Sequence, residues 1–483
     1  MMLMRSRAYD GARVYYVWQW IKQPCFFIII LVWAQFIPGA KDQGTFQHPD
    51  SPDIANKWVY DSMKLYYYWA GQMTDHPDYN LPTQDFFKQL LSPEDRFSRI
   101  SNRSDIGVPK STARLFGFQY ALITHPFNPQ QLAGVITLVA PGSDAASRVH
   151  LKRGMFFTKV NNRVITKQNM AAIISELESK DNSNAMLQLA VLNATGTALN
   201  DSVRVAVQQK YVAQKSVYPT RYFDKNGIKT AYLPYFLCEE KEDALLLQQM
   251  QAFKNARINE LILDLRYNPG GSVASVSKLA ATLVPSLNAD NTFITYRGNR
   301  HGGTVKLSFK EAVQFSGNDF GKDMNYLKNI NQGLKRIFIL TSQATASAAE
   351  LLVNNLKPYI PVKLIGEKTL GKDEAAFNIE DKRDPRQVDW VLMPIIYKVA
   401  DARGNGNYSN GLKPGYDVNE FSRLPLQELG MPGDLPVDKA LALIYSTSQA
   451  DDMAGQLRVF SFPEVRALFH SSQSGVYTVT APN

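Results

Sequence analysis

"ELILDLRYNPGGSVASVSKLAATLV", residues 260–284, reads as a strand, a tight glycine turn and a helix in immediate succession. The apolar run "ELILDL" has the length of a buried strand, and Asn-Pro-Gly-Gly at 268–271 punctuates the chain before the helix begins. The alternation continues on both sides. Strand "KTAYLPYFL" and a helix over 239–255, with Leu246, Met250 and Phe253 on one face, come before; strand "RIFILT" (336–341), helix "AAELLVNNL" and strand "VKLIG" (362–366) come after. This pattern predicts a βα-layered α/β core over residues 216–449, its strands buried. Such folds gather their sites at the carboxyl ends of strands, where "RYNPGG" and "SQATASAAE" lie.

Working outward, residues 111–212 change to short alternating strands separated by Gly, Pro and Asn turns, with one helix at "TKQNMAAIISELES", and predict a compact β-rich module. Residues 52–105 predict a small helical cap in which Trp58, Met63, Tyr66 and Trp69 roughly follow helical spacing. Residues 450–483 form an unassigned tail. At the other end, Arg5, Arg7, Arg13 and Lys22 precede the uncharged run "CFFIIILVWAQFI" (25–37). Basic then apolar is the layout of an export signal ending near Ala40, so residues 1–40 are expected to be a signal peptide, with an uncleaved membrane anchor as the alternative.

Composition excludes several classes. The formal charge is +9, and leaving out the four basic and one acidic residues of 1–40 gives +6, spread without Lys/Arg blocks. That distribution predicts solubility, not nucleic-acid binding. Of the two cysteines, Cys25 falls in the export segment, so a mature chain would hold Cys238 alone and no internal disulfide. Neither Cys238 nor the six histidines make a ligand-spaced cluster, so no metal or cofactor is expected.

Ser347 is the residue on which the chemistry turns. In "TSQATASAAELL" (341–352), Ser-Ala-Ala-Glu matches the capping-box pattern, so Ser347 and Glu350 are expected to close a helix start. The same position also favours developing negative charge, because helix N–H groups and dipole point there. A serine nucleophile needs a base; the histidines lie in no recognised triad pattern and no G-x-S-x-G elbow is present. Lysine serves when desolvation lowers its pKa, and "GEKTLGKDEAAF" (366–377) offers Lys372 in a glycine-flanked loop after a strand. Gly270 and Gly271 let backbone approach a ligand without obstruction.

At these three segments the chain resembles the carboxyl-terminal processing (tail-specific) serine proteases, in "LILDLRYNPGG", "TASAAE" and "GEKTLGK" taken in order. Ser347 and Lys372 stand 25 residues apart, the family's spacing from nucleophile to base. The resemblance implies a ClpP/crotonase-like core with Ser347 as nucleophile and Lys372 as general base. It further implies an oxyanion hole of N–H groups from Ala348 and from Gly270 or Gly271, with Glu350 supporting the helix start. One position departs: many relatives place a glutamine four residues after the lysine, and Ala376 stands here.

The β-rich module resembles a PDZ domain in "GVITLVAPGSDAASRVHLKRGMFFTKVNN" (134–162), with Met155 replacing the usual aspartate. "LFGFQY" (115–120) resembles its carboxylate-binding loop, which makes Phe116, Gly117 and Phe118 the expected peptide-binding residues. The expectation is therefore an exported, periplasmic or cell-envelope serine endopeptidase. Its partners would be polypeptides with exposed C-termini, with no nucleic acid, and membrane only through an uncleaved N-terminal segment. The alternative is a catalytically weak or inactive homologue acting as a peptide-binding scaffold.

Overall fold

The computed structural model describes residues 52–106, 110–317, 319–446 and 459–471. The expected signal or anchor of residues 1–40 lies outside them. Among the described residues, no helix is long and apolar enough to cross a membrane.

The chain opens with α1 (Pro52–Tyr66) and α2 (Thr83–Gln89). Val59 and Met63 of the first, with Tyr67 just past its end, meet Phe86 and Phe87 of the second. Trp69 is buried but lies past the end of α1, and Tyr66 is exposed, so the helical spacing expected for these aromatics holds only in part. The cap is also not purely helical: Arg99–Asn102 forms a strand antiparallel to Trp390–Met393.

The β-rich region contains β1 (Phe118–His125), β2 (Asn128–Val139), β3 (Phe156–Val160), α3 (Met170–Leu177), β4 (Asn184–Leu192) and β5 (Leu199–Gln208). Its strands pair antiparallel in sequence order. The core follows, with β6 (Arg221–Lys225), β7 (Ile228–Pro234), α4 (Asp243–Ala256), β8 (Glu260–Asp264) and α5 (Val273–Leu283). It continues through β9 (Ile337–Thr341), α6 (Ala348–Leu356), β10 (Val362–Gly366), β11 (Tyr416–Asp417) and α7 (Leu435–Tyr445). One sheet orders these strands β11-β10-β9-β8-β7-β6, parallel except for the β6–β7 hairpin.

Side-chain alternation explains why β8 is central. Leu261 and Leu263 join the cluster that holds Met250 of α4, Leu279 of α5 and Leu352 of α6. Ile262 points to the opposite face, against Val437, Ala440 and Ile444 of α7. Each such side chain contributes roughly 1.5–3 kcal/mol on burial. With both faces covered, the sheet leaves the carboxyl ends of β8, β9 and β10 as neighbours at one edge, and the loops that follow them are drawn together.

Beyond β8 the chain enters a buried ionic network. Arg266 pairs with Asp264 (2.7 Å), Asp434 (2.7 Å) and Glu420 (3.0 Å). Arg153, from the turn between β2 and β3, pairs with the same Glu420 at 2.8 Å and donates to the Tyr267 hydroxyl at 2.6 Å. Burial alone would raise the pKa of Glu420, but Arg266 and Arg153 hold it below the ordinary value. One carboxylate thus joins the β-rich region to the core. Glu420→Ala leaves the Arg153 guanidinium buried without its carboxylate and is expected to cost about 3–5 kcal/mol, measured as a fall in the denaturant midpoint.

Candidate active site

Ser347 ends the loop between β9 and α6 with φ 55° and ψ −121°, outside the ordinary regions for a side-chain-bearing residue. Residues held this way cluster where surrounding structure over-determines them. Here the loop is fixed from below: Thr345 Oγ1 donates to the Leu265 carbonyl (2.7 Å) and Ala346 N–H to the Asn268 carbonyl (3.0 Å). Ser347 itself is only partly buried. Ser347 and Glu350 meet as the capping box, and its better-formed half is Glu350's, which accepts from Ser347 N–H at 2.9 Å. The Ser347 hydroxyl approaches the helix N–H groups without a full cap hydrogen bond.

Glu350 does more than cap. The same oxygen, Oε2, accepts from Lys372 N–H at 2.8 Å, while Oε1 accepts from Gly371 N–H at 2.7 Å and from the Thr369 hydroxyl. The backbone nitrogens of Ser347 and Lys372 are therefore no farther apart than two hydrogen-bond lengths. Burial pushes the Glu350 pKa up, and these four donors pull it the other way.

Lys372 is partly buried, and its amine sits 5.2 Å from the centre of the Phe97 ring. Burial, and then the nearby Arg99 charge, pull its pKa down to about 8, against the carboxylates Glu374, Glu350 and Asp95. Asp373 and Glu374 instead pair with Lys398, and among the described residues Lys372 is in no ion pair. Ala376 packs against the cluster containing Phe97. The surroundings that bury the lysine thus come partly from the N-terminal region: Phe97 lies on its amine, and Arg96 donates to the carbonyls of Gly371 (2.6 Å) and Ser409 (2.9 Å).

The two glycines differ. Gly270 has φ 101°, and a Cβ there would stand 2.8 Å from Ser347 Cβ and 2.9 Å from Ala348 N. Its N–H, however, already donates to Asn268 Oδ1 at 2.8 Å. Gly271 is exposed, with φ 131°, and a Cβ there would strike the Cys238 carbonyl at 2.2 Å. Gly270 is therefore the residue of close approach to Ser347, and its N–H is engaged by Asn268. A cleft of about 460 Å³ opens beside Gly271, lined by Cys238, Glu239, Glu240, Lys241, Ser272 and Gly317. Burial pushes the Cys238 thiol up to about 12. Among the described residues, no group of three or more His, Cys, Asp or Glu is placed to hold a metal ion.

Phe116, Gly117 and Phe118 are not brought to this site. All three are buried, and the N–H groups of Phe116 and Gly117 both donate to the Thr112 carbonyl, at 2.8 and 3.0 Å. Residues 210–212 lie across the loop, with Lys210 N–H on the Leu115 carbonyl and Val212 N–H on that of Arg114. As it stands, the loop does not present those two donors to a carboxylate.

Comparison with known proteins places this arrangement. Residues 229–388 match the model of Peptidase family S41 and residues 55–99 that of the Peptidase S41 N-terminal domain. The first match contains Gly270, Gly271, Ser347, Ala348, Glu350 and Lys372; the second contains Arg96, Phe97 and Arg99. The chain is 26% identical over 246 residues to a "Probable CtpA-like serine protease" of Staphylococcus aureus (strain COL), covering 49% of this chain and 41% of that one. It is 25% identical over 215 residues to a protein of the same description from Staphylococcus saprophyticus, covering 44% and 37%. It thus spans about two-fifths of the length of the curated relatives it matches. A solved S41 protease structure from Bacteroides fragilis NCTC 9343 superposes with a TM-score of 0.63 at 24% identity, over 86% of this chain and 99% of that one, a likeness of fold. Residues 229–388 thus resemble peptidase family S41, and residues 55–99 its N-terminal domain.

Because both glycines sit at positive φ against backbone, Gly270→Ala is expected to destabilise the protein by more than about 1 kcal/mol, readable as a lowered thermal midpoint.

Proposed function

We propose that this protein is a serine endopeptidase in which Ser347 and Lys372 form the catalytic dyad. The observation that carries the reading is the shared Glu350 oxygen, which holds the backbone of the serine and of a desolvated lysine side by side. Ser347 Oγ attacks the scissile carbonyl while Lys372 Nζ accepts its proton, and the N–H groups of Gly271 and Ala348 bind the oxyanion. The lysine then returns the proton to the leaving amine, and water attacks the acyl-enzyme to free the serine. The match to peptidase family S41 over all of these residues supports the assignment.

The substrate class is an extended polypeptide, captured by its C-terminal end through a PDZ-like module of residues 111–212. Antiparallel β1 to β5 with α3 support that reading, since strand addition needs a sheet edge. The basic-then-apolar N-terminus supports export to the periplasm or cell envelope.

Ser347→Ala is expected to cut degradation of unfolded casein by at least about a thousandfold; equal degradation before and after the change would sink the protease reading and favour a peptide-binding scaffold. A lysine base must be neutral to act, so kcat/KM should rise with pH through a limb centred near 8. A flat profile from pH 6 to 10 counts against Lys372. Glu350→Gln retains the shape of the bridge but removes a charge that raises the lysine pKa. It should lower kcat by about 10²-fold through misplacement and move the limb to lower pH, whereas a purely structural role would leave the limb where it was.

A further inference from the structure

The last described strand, β12 (Ala467–His470), adds to the β-rich module and not to the core. It lies antiparallel along the edge of β1 opposite β2: Ala121 faces His470, Leu122 faces Phe469 and Ile123 faces Ala467, with Leu468 bulged at the step. It runs toward Phe118 and Gly117, and Tyr120 N–H extends the contact by donating to Ser471 Oγ at 2.8 Å. Phe469 packs on the module's own core, its ring 5.9 Å from that of Tyr120. On the other face, His470 lies against the rings of Phe421 and Tyr267, the residue just before Asn268.

A short extended segment added antiparallel to an open sheet edge, with alternate side chains in pockets, is the geometry of a bound strand ligand. We propose that residues 467–471 are an internal strand ligand, which an extended apolar segment of substrate must displace from the β1 edge to be captured. The inference rests on the capture reading above and adds its regulation.

The fit of β12 is imperfect in a way that favours exchange. His470 is 2% exposed, yet neither ring nitrogen has a hydrogen-bond partner, and a buried polar group left unpaired weakens the docking. Leu468, in the bulge, is 46% exposed and contributes little. A competing strand with an aromatic residue opposite Leu122 and an apolar one opposite Ala121 keeps the good contact and removes the bad one. Its arrival would take the place of the ring now packed on Tyr267, next to the oxyanion loop.

The test uses the full chain carrying Ser347→Ala and a fluorescent peptide, FPEVRALFHS, that copies residues 462–471, with binding followed by anisotropy. Opposed residues of an antiparallel pair fall within disulfide reach, so Ala121→Cys with His470→Cys can lock the strand. The reduced form should bind the peptide, and the oxidised form at least tenfold more weakly. Without a disulfide, His470→Leu should raise the thermal midpoint and weaken peptide binding several-fold, while a peptide with leucine in place of its histidine should bind the unmodified tail variant several-fold tighter. Equal binding by oxidised and reduced forms overturns this inference and leaves peptide capture by the chain standing. Binding by neither form overturns capture at this edge as well.

Discussion

The Glu350 carboxylate is the constraint on which the rest of the site depends. Sheet topology brings the ends of β9 and β10 to one edge, but neighbouring loops still have many ways to run. Four donors on one buried carboxylate, from Ser347, Thr369, Gly371 and Lys372, select a single arrangement. Two of them are backbone N–H groups on the same oxygen, which sets the serine and lysine segments side by side. The strained Ser347 backbone is tolerable because it is tied at both ends, to Glu350 above and through Ala346 to Asn268 below.

The lysine's environment is assembled from parts distant in sequence. Phe97 covers the amine and Arg96 ties the Gly371 carbonyl, both from the region before the β-rich module. This gives a physical account of Ala376: its neighbourhood is apolar packing around Phe97, and the amine is surrounded by a ring and a nearby guanidinium instead of an amide. The β-rich module is tied in differently, through Arg153 to Glu420 and the Tyr267 hydroxyl. Tyr267 thereby touches the ionic network, the β12 residue His470 and, through the adjoining Asn268, the glycine turn.

Much of the core was legible because its signals are local. An apolar run, a glycine turn and an amphipathic helix specify β8 and α5 within a residue or two, and Leu246, Met250 and Phe253 are all buried as their spacing requires. The pairing of Ser347 with Glu350 at the start of α6 was legible from the capping-box motif. What was not legible is contact without local signal. Phe97 is one aromatic among many, and nothing near it in sequence says that it will lie over a lysine 275 residues later. Asn268 looked like part of a turn, yet its side chain accepts from the Gly270 N–H. The tail carried no periodicity long enough to announce a strand, because β12 has four residues and draws its order from the β1 edge. The "LFGFQY" loop likewise matched a motif while its N–H groups were already taken by Thr112.

The central claim is that Ser347 is made nucleophilic by Lys372. It is tested most directly by treating the protein with a fluorophosphonate and locating the adduct by mass spectrometry. The account predicts a single adduct on the peptide containing Ser347, formed faster as the pH rises toward and beyond about 8, and lost when Lys372 is replaced by alanine. An adduct on another residue, or one on Ser347 that forms equally fast without Lys372, would contradict it.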